Sequence, residues 1–547
     1  MNKFKLLAGA SMAAMLAMSG MTGALADGDG TADGEAGRIE ALEARIQQLE
    51  ATNQLLLDYL ARQGVDVAQS GAPAAAAAPA APHTPHSAHT AAHTAAPAAA
   101  SSAPAPHTSV RPAHLAHHAS PSEPHATHHA AHSAGLVGIS PEYGYRVLDH
   151  AEGVNTRQLM TLQAIQAGEL PHRVTLSGGV TVLGNVQRSN SDTKFGWLMR
   201  HPTSANQIGE DVSELVVHSA QLAFTARVSD FVTAYGELLY NPEQSFGSGT
   251  ITTLTRNQVE MRKAYVLIGN LDRTPLYGAI GKMDVPFGLQ DTVSPFTNST
   301  SWHAFAPLAY GGMVGWWNGN LHLRAMAVQG GAQFRSANVP VQDTAVPSRV
   351  NNFALDANYT LPLGQHGDQV MVGASYIHGS AYCQPYPVVH FNPCQENNPA
   401  WAAYTLAHLG NFTLLGEYAR TTEIWPGSAV PDPTNPLSAF DAQETSAFTL
   451  GGRYAWPMAE GAPVDISFEF SRFRAGEDGA PWERQDQYVA GLSRFIAPSV
   501  SLFGEYIHTD GWVPLNFLSG GNFTDGSTWS ERDATTDILA VGIQAAF

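Results

Sequence analysis

From Arg173 to Phe547 the chain alternates apolar and polar positions with a period of two, which is the pattern of strands with a different environment on each face. Sixteen such segments occur, at about 173–188, 211–228, 231–241, 257–269, 276–285, 310–317, 320–330, 351–361, 368–380, 399–410, 412–421, 443–456, 464–474, 485–496, 499–509 and 535–547. In the last of them Leu539, Val541, Ile543, Ala545 and Phe547 share one face, and the alternation runs to the final residue. An apolar edge strand left open invites mispairing, so a terminal strand of this kind is expected to close a barrel against the first one. The connections agree. Those after even-numbered segments are short ("SD", "NLDRTP", "NGN", "PLGQHG", "GN", "PMAEGAP", "AP"), and those after odd-numbered segments are long. Together these features predict an all-β transmembrane barrel of about 16 antiparallel strands over 173–547, with tight turns at one end and long loops at the other.

Before the barrel the pattern changes three times. Residues 1–26 carry Lys3 and Lys5, a short apolar run and Ala24-Leu25-Ala26, which reads as a signal peptide. Over 35–63, Ile39, Leu42, Ile46, Leu49, Asn53, Leu56 and Leu60 alternate three and four apart, predicting a short periplasmic coiled coil with Asn53 fixing its register. A helix packed on its own barrel is the other reading of that stripe. Residues 64–137 are nearly all Ala, Pro, His, Ser and Thr, a composition that builds no core and predicts a disordered spacer. It holds 12 of the 23 histidines, including His114, His117, His118, His125, His128, His129 and His132. These are candidate metal ligands; the alternative is a spacer that gains charge in acid. A connecting segment, 138–172, contains "NTRQLMTLQAIQAGELP", read as a short helix capped by Asn155 or Thr156, with Leu159, Leu162 and Ile165 on one stripe.

Composition narrows the class. Only 14% of residues are charged, Gly numbers 51 and Tyr 17, and no apolar run after residue 26 is long enough for a helical span. The formal net charge of −19 argues against a nucleic-acid partner. Cys383 and Cys394, the two cysteines, lie in a Pro/Asn/Gln-rich loop and are expected to be bridged there; a metal pair is the weaker alternative. No placed nucleophile and base stands out, so no enzyme and no cofactor is expected. The expected location is a Gram-negative outer membrane, its lipid around the barrel and both mature termini in the periplasm. The aromatic Phe547 at the end of the last strand suits hand-over to the outer-membrane assembly machinery.

The stretch "AYVLIGNLDRTPLYGAIGKMDVPFG" (264–288), the recurrent Gly-Glu strands and the coiled coil before the barrel resemble the LbtU-type siderophore porins, barrels similar to the legiobactin receptor. The His/Ala/Pro spacer departs from that pattern. The resemblance implies a 16-stranded barrel associated with ferric-siderophore uptake without a TonB-type plug. A general or sugar/anion-selective diffusion porin tethered by its coiled coil is the alternative.

With the apolar face of each strand turned to lipid, Glu237, Glu417, Glu469 and Glu505 face the lumen. At a rise of about 3.3 Å per residue they stand at similar heights. Arg227, Arg262, Arg324 and Arg453 also read as lumenal. Except for Glu237 and Arg453, the arginines and glutamates fall on opposite arcs, which suggests a basic wall facing an acidic one and a modest preference for cations; ion pairs bracing the wall are the alternative. The segment "VPFGLQDTVSPFTNSTSWHAFAPLA" is the candidate constriction loop, with Trp302 and His303 as candidate ligand-stacking or anchoring rings. The seam from Ile39 to Leu60 predicts a homo-oligomer, and analogy with porins of this size makes it a trimer. Cross-linking in native membranes is expected to give a band at about three times the monomer mass, and a monomer band alone would contradict it.

Overall fold

A computed structural model describes residues 135–149, 151–190, 210–240, 259–330, 349–364, 367–383, 397–426, 441–480, 482–511 and 533–547. The expected signal peptide, coiled coil and nearly all of the spacer lie outside these residues.

A short strand β1 (Val137–Ile139) precedes sixteen long ones. In chain order these are β2 (Val174–Ser189), β3 (Asp211–Arg227), β4 (Val232–Tyr240), β5 (Val259–Gly269), β6 (Leu276–Asp284), β7 (Leu308–Trp317), β8 (Leu321–Gln329) and β9 (Val350–Pro362). They continue as β10 (Gln369–Ile377), β11 (Ala400–Leu409), β12 (Phe412–Ile424), β13 (Glu444–Trp456), β14 (Val464–Arg474), β15 (Gln485–Ala497), β16 (Val500–Gly511) and β17 (Ala534–Ala546). Each pairs antiparallel with the next, and β17 pairs back onto β2 from Thr536↔Ser189 to Ala546↔Gly179, closing the barrel. Every boundary falls within three residues of the sequence expectation.

The outer surface is apolar because alternate residues of each strand point there: Leu215, Ile280, Val314, Leu450, Phe468 and Leu539 are all exposed. Aromatic rings meet across strands on that face, Phe448 with Phe470 at 5.3 Å and Phe470 with Tyr488 at 4.7 Å between centroids. No helix among the described residues is long and apolar enough to cross a membrane.

Below the level where β17 ends, β2 would have a bare edge. β1 covers it in parallel, with Val137 opposite Val174 and Ile139 opposite Leu176. Between β1 and β2 the chain turns into the barrel. It forms α1 (Pro141–Arg146), a 3-10 turn (Val154–Thr156) and α2 (Arg157–Gln166). Tyr143, Val147, Met160, Ala164 and Leu170 make a small core inside this inserted segment. Gly144 sits against the chain's last residue: a Cβ there would come 2.0 Å from the Phe547 carbonyl oxygen. A second insertion leaves β6, where Gly281 takes φ +143° because a Cβ would lie 2.2 Å from the Ala264 carbonyl oxygen. It carries α3 (Thr300–Phe305), whose first turn is capped by Ser299 Oγ accepting the Trp302 amide at 3.1 Å.

Gly144→Val is therefore expected to force α1 off the β2/β17 seam. Heat-modified migration on gels should begin at a lower temperature, by an amount equivalent to about 1–3 kcal/mol of overpacking. An unchanged transition would mean that α1 does not bear on the seam.

Candidate functional site

The lumen is where the charged side chains collect, and the two insertions occupy it. The β6–β7 insertion crosses the barrel without a strand beside it, so its amides need other acceptors. Three wall glutamates supply them. Glu417 accepts the Leu289 and Gln290 amides at 2.8 and 3.2 Å. Glu469 accepts the Val293 amide at 2.9 Å and the Thr292 hydroxyl at 2.7 Å. Glu505 accepts the Phe296 amide at 2.7 Å, the Thr297 amide at 3.0 Å and the Thr297 hydroxyl at 2.6 Å. Each rung sets a wall carboxyl group against two or three donors of the loop. The sequence pattern turned all three inward, and each meets the inner loop. They are not, however, a bare acidic wall: they are buried under the loop they hold.

The other predicted wall charges hold the N-terminal insertion. Glu237 accepts from Arg157 of α2 and from Tyr235 Oη, both at 2.6 Å. Arg324 lies 2.8 Å from Asp356 on β9 and donates to the Asn155 carbonyl at 2.6 Å. Arg453 pairs with Glu152, and Arg262 lies 3.5 Å from Asp149. Arg227 stands at the rim and donates to the carbonyls of Pro171 and His172 at 2.9 and 3.2 Å. The expected pair of opposed walls is thus corrected. Most partners of these side chains belong to the insertions, and only Arg324 braces a neighbouring strand as the ion-pair alternative required.

Two further expectations change. Neither Asn155 nor Thr156 caps α2 with its side chain. Asn155 instead donates Nδ2 to the Gly288 carbonyl at 2.6 Å, tying one insertion to the other. Lys263 escaped the sequence reading although it is buried and lies 2.7 Å from Asp284. A bulge opposite Glu237/Leu238 makes Arg262 the extra residue, so two successive side chains turn inward. Adjacent charges within an otherwise alternating strand were the available signal.

Trp302 and His303 both lie in α3 and are buried, their rings edge-to-face at 5.0 Å. Trp302 borders a cavity; His303 does not. Cys383 is buried and disulfide-bonded, and its expected partner Cys394 lies outside the described residues. The seven candidate metal histidines, His114 to His132, also lie outside them. Among the described residues no group of three or more His, Cys, Asp or Glu is placed to hold a metal.

The cavity beside Trp302 measures about 710 Å³ and opens between the two insertions and the wall of β13–β16. Six carboxylates border it (Glu142, Asp149, Glu152, Glu169, Asp291 and Asp465) against three guanidiniums (Arg146, Arg453 and Arg494). Those guanidiniums are engaged: Arg146 by Glu169, Arg453 by Glu152, and Arg494 by the carbonyls of Glu460 and Ala462 at 3.1 and 3.2 Å. Asp291 accepts the Gly153 amide at 2.8 Å. The lining is polar, acidic in balance, and edged by the rings of Tyr145, Trp302 and Phe495.

No protein-family model matches the sequence, and no curated protein matches it. Among solved structures the chain is similar to an anion-selective porin from Comamonas acidovorans, at 12% identity and a TM-score of 0.41, covering 68% of this chain and 99% of that one. It is similar to the outer membrane channel DcaP of Acinetobacter baumannii, at 13% identity and 0.41, covering 68% and 97%. OprB of Pseudomonas putida is a third, at 9% identity and 0.43, covering 70% and 96%. Likeness at this level carries no argument about solute; the barrel itself rests on the strand pairing above.

Because Glu505 takes the most donors of the three rungs, Glu505→Gln is expected to loosen the loop more than Glu417→Gln. An amide side chain keeps one acceptor oxygen and loses the charge, weakening the rung by about 1.5–3 kcal/mol. Single-channel recordings should show more open-level noise in the Glu505 variant; equal noise in both would mean that the loop is held elsewhere.

Proposed function

We propose that the chain is an outer-membrane channel of porin type, non-enzymatic, which admits small solutes. One observation carries this reading: a closed barrel with an apolar exterior encloses a charged interior, and that interior still holds a cavity of about 710 Å³. An exterior of exposed Leu, Val, Ile and Phe is stable only in lipid, whereas charged residues in a lumen need water or fixed partners. The described N-terminal part and Phe547 meet at the rim with the short turns, since β1 pairs with the start of β2 and the Phe547 amide donates to the Gly178 carbonyl at 2.9 Å. In this reading that rim is periplasmic, which puts both mature termini there, and assembly into a trimer completes the particle.

For the solute, three of the six bordering carboxylates are paired with arginines, which leaves Glu142, Asp291 and Asp465 against Arg494 and gives a small acidic balance that favours cations modestly. Ferric-siderophore import, the specialty implied by the resemblance, is the more specific form of the proposal. The resembling residues take part in lumen architecture: Gly288, which ends that stretch, donates its amide to Ser375 Oγ at 3.0 Å and accepts from Asn155 through its carbonyl. The last four residues of the stretch, 285–288, begin the inner loop and the rest form the β5–β6 pair, so a shared stretch here supports a shared root for that loop. A general diffusion porin is the second reading, favoured by a cavity whose polar groups belong mainly to charged pairs.

Purified protein in planar bilayers is expected to conduct. In a salt gradient its reversal potential should favour cations, and Glu142→Gln together with Asp465→Asn should shift it toward anions. Absence of conductance would remove the channel reading. A strain lacking the protein should fail to grow on a ferric siderophore as sole iron source and recover on complementation; unimpaired growth would leave the general porin.

A further inference from the structure

We propose that residues 140–173 are a gate, a unit that swings out of the lumen on a pivot at the rim. The inference rests on the channel reading and goes beyond it, because a lumen filled this far leaves larger solutes no route past a fixed segment.

The first argument is topological. Both stems of the segment belong to one three-residue parallel ladder at the rim: the chain leaves β1 after Ile139, which faces Leu176, and enters β2 at Val174, which faces Val137. A segment whose stems are neighbours at a single rim leaves and returns without unthreading a strand or breaking the barrel ladder. The β6–β7 insertion lacks this freedom, since its ends descend from β6 and β7 and three glutamate rungs hold its middle.

The second argument concerns cores. Tyr143, Val147, Met160, Ala164 and Leu170 pack against one another, so the segment keeps an apolar centre wherever it sits. Its apolar contacts with the wall are separate small ones: Leu159 and Leu162 of α2, Leu148 against Gly179 of β2, and Tyr145 edge-on to Phe495 of β15 at 4.9 Å.

The third argument is the chemistry of the dock. Arg157 meets Glu237, Glu152 meets Arg453, and the Asn155 carbonyl meets Arg324. Tyr143 Oη lies 2.9 Å from Thr225 Oγ1, and Gln221 donates to the Val147 carbonyl at 2.6 Å while accepting the Asp149 amide at 2.8 Å. Every one of these groups is hydrated when the segment leaves a water-filled lumen, so departure strands no charge in a dry site. Undocking exchanges protein partners for water, and salt weakens the ion pairs that oppose it.

The test is thiol accessibility in the full-length protein in proteoliposomes. Leu159→Cys puts a thiol on the buried face of α2, and Ala167→Cys puts one just beyond α2 at an exposed position. A membrane-impermeant maleimide should modify Ala167→Cys at once and Leu159→Cys slowly but fully while the barrel stays folded on gels. Adding Glu237→Gln, or raising salt to about 1 M, should speed the Leu159→Cys reaction roughly tenfold or more. If Leu159→Cys assembles poorly, Leu162→Cys reads the same face. Modification of Ala167→Cys alone, unaffected by Glu237→Gln or salt, would overturn the gate and make the segment a permanent part of the wall. Conductance is recorded separately: current without modification of the buried thiol rejects the gate alone, whereas modification without current rejects the channel reading.

Discussion

A backbone that crosses the inside of a barrel has no strand beside it, and the rest of this lumen follows from how that need is met. Glu417, Glu469 and Glu505 stand on every second strand and accept the amides of Leu289 and Gln290, of Val293, and of Phe296 and Thr297, in order along the loop. The loop is held as a third strand would hold it, with carboxylates in place of carbonyls. A carboxyl group also offers two acceptor oxygens, so one rung takes two or three donors where a ladder carbonyl takes one. Because the loop is fixed there, the space left beside it is fixed as well, and the cavity takes its position from the rungs.

The N-terminal insertion obeys the same economy with the roles mixed. Here the wall supplies both signs, Glu237 for an arginine and Arg324 and Arg453 for a carbonyl and a carboxylate. The two insertions meet through Asn155 and Gly288, and again through the Gly153 amide and Asp291. Wall residues far apart in sequence therefore report on one another through the lumen contents: the Arg324 site touches Asn155, Asn155 touches the loop, and the loop touches Glu417. A change at one is expected to register at the others.

Strands were legible because alternation and turn length are local. Lipid on one side of a strand fixes which residues face outward, and the inward set, including all four glutamates, follows by exclusion. Partners were not legible. Whether Glu505 meets an arginine or an amide depends on Thr297, over two hundred residues away, and no spacing encodes that contact. The bulge at Arg262 escaped for a related reason: a strict period of two cannot represent an extra residue, so Arg262 was read as lumenal and its neighbour Lys263 went unnoticed. The lumenal helix was found, but its capping was misread because Asn155, a good local cap, had a better long-range use.

The short strand β1 has a consequence for how the barrel closes. It occupies the edge of β2 at Val174 to Leu176, immediately beyond the level where Phe547 meets Gly178. A closing strand that slid one place along β2 would reverse the facing of all its side chains. With that stretch of edge already taken, β17 has a physical end-stop, and the carboxyl terminus abuts it. The three residues of β1 thus share one edge of β2 with the last strand and mark the level at which its pairing stops.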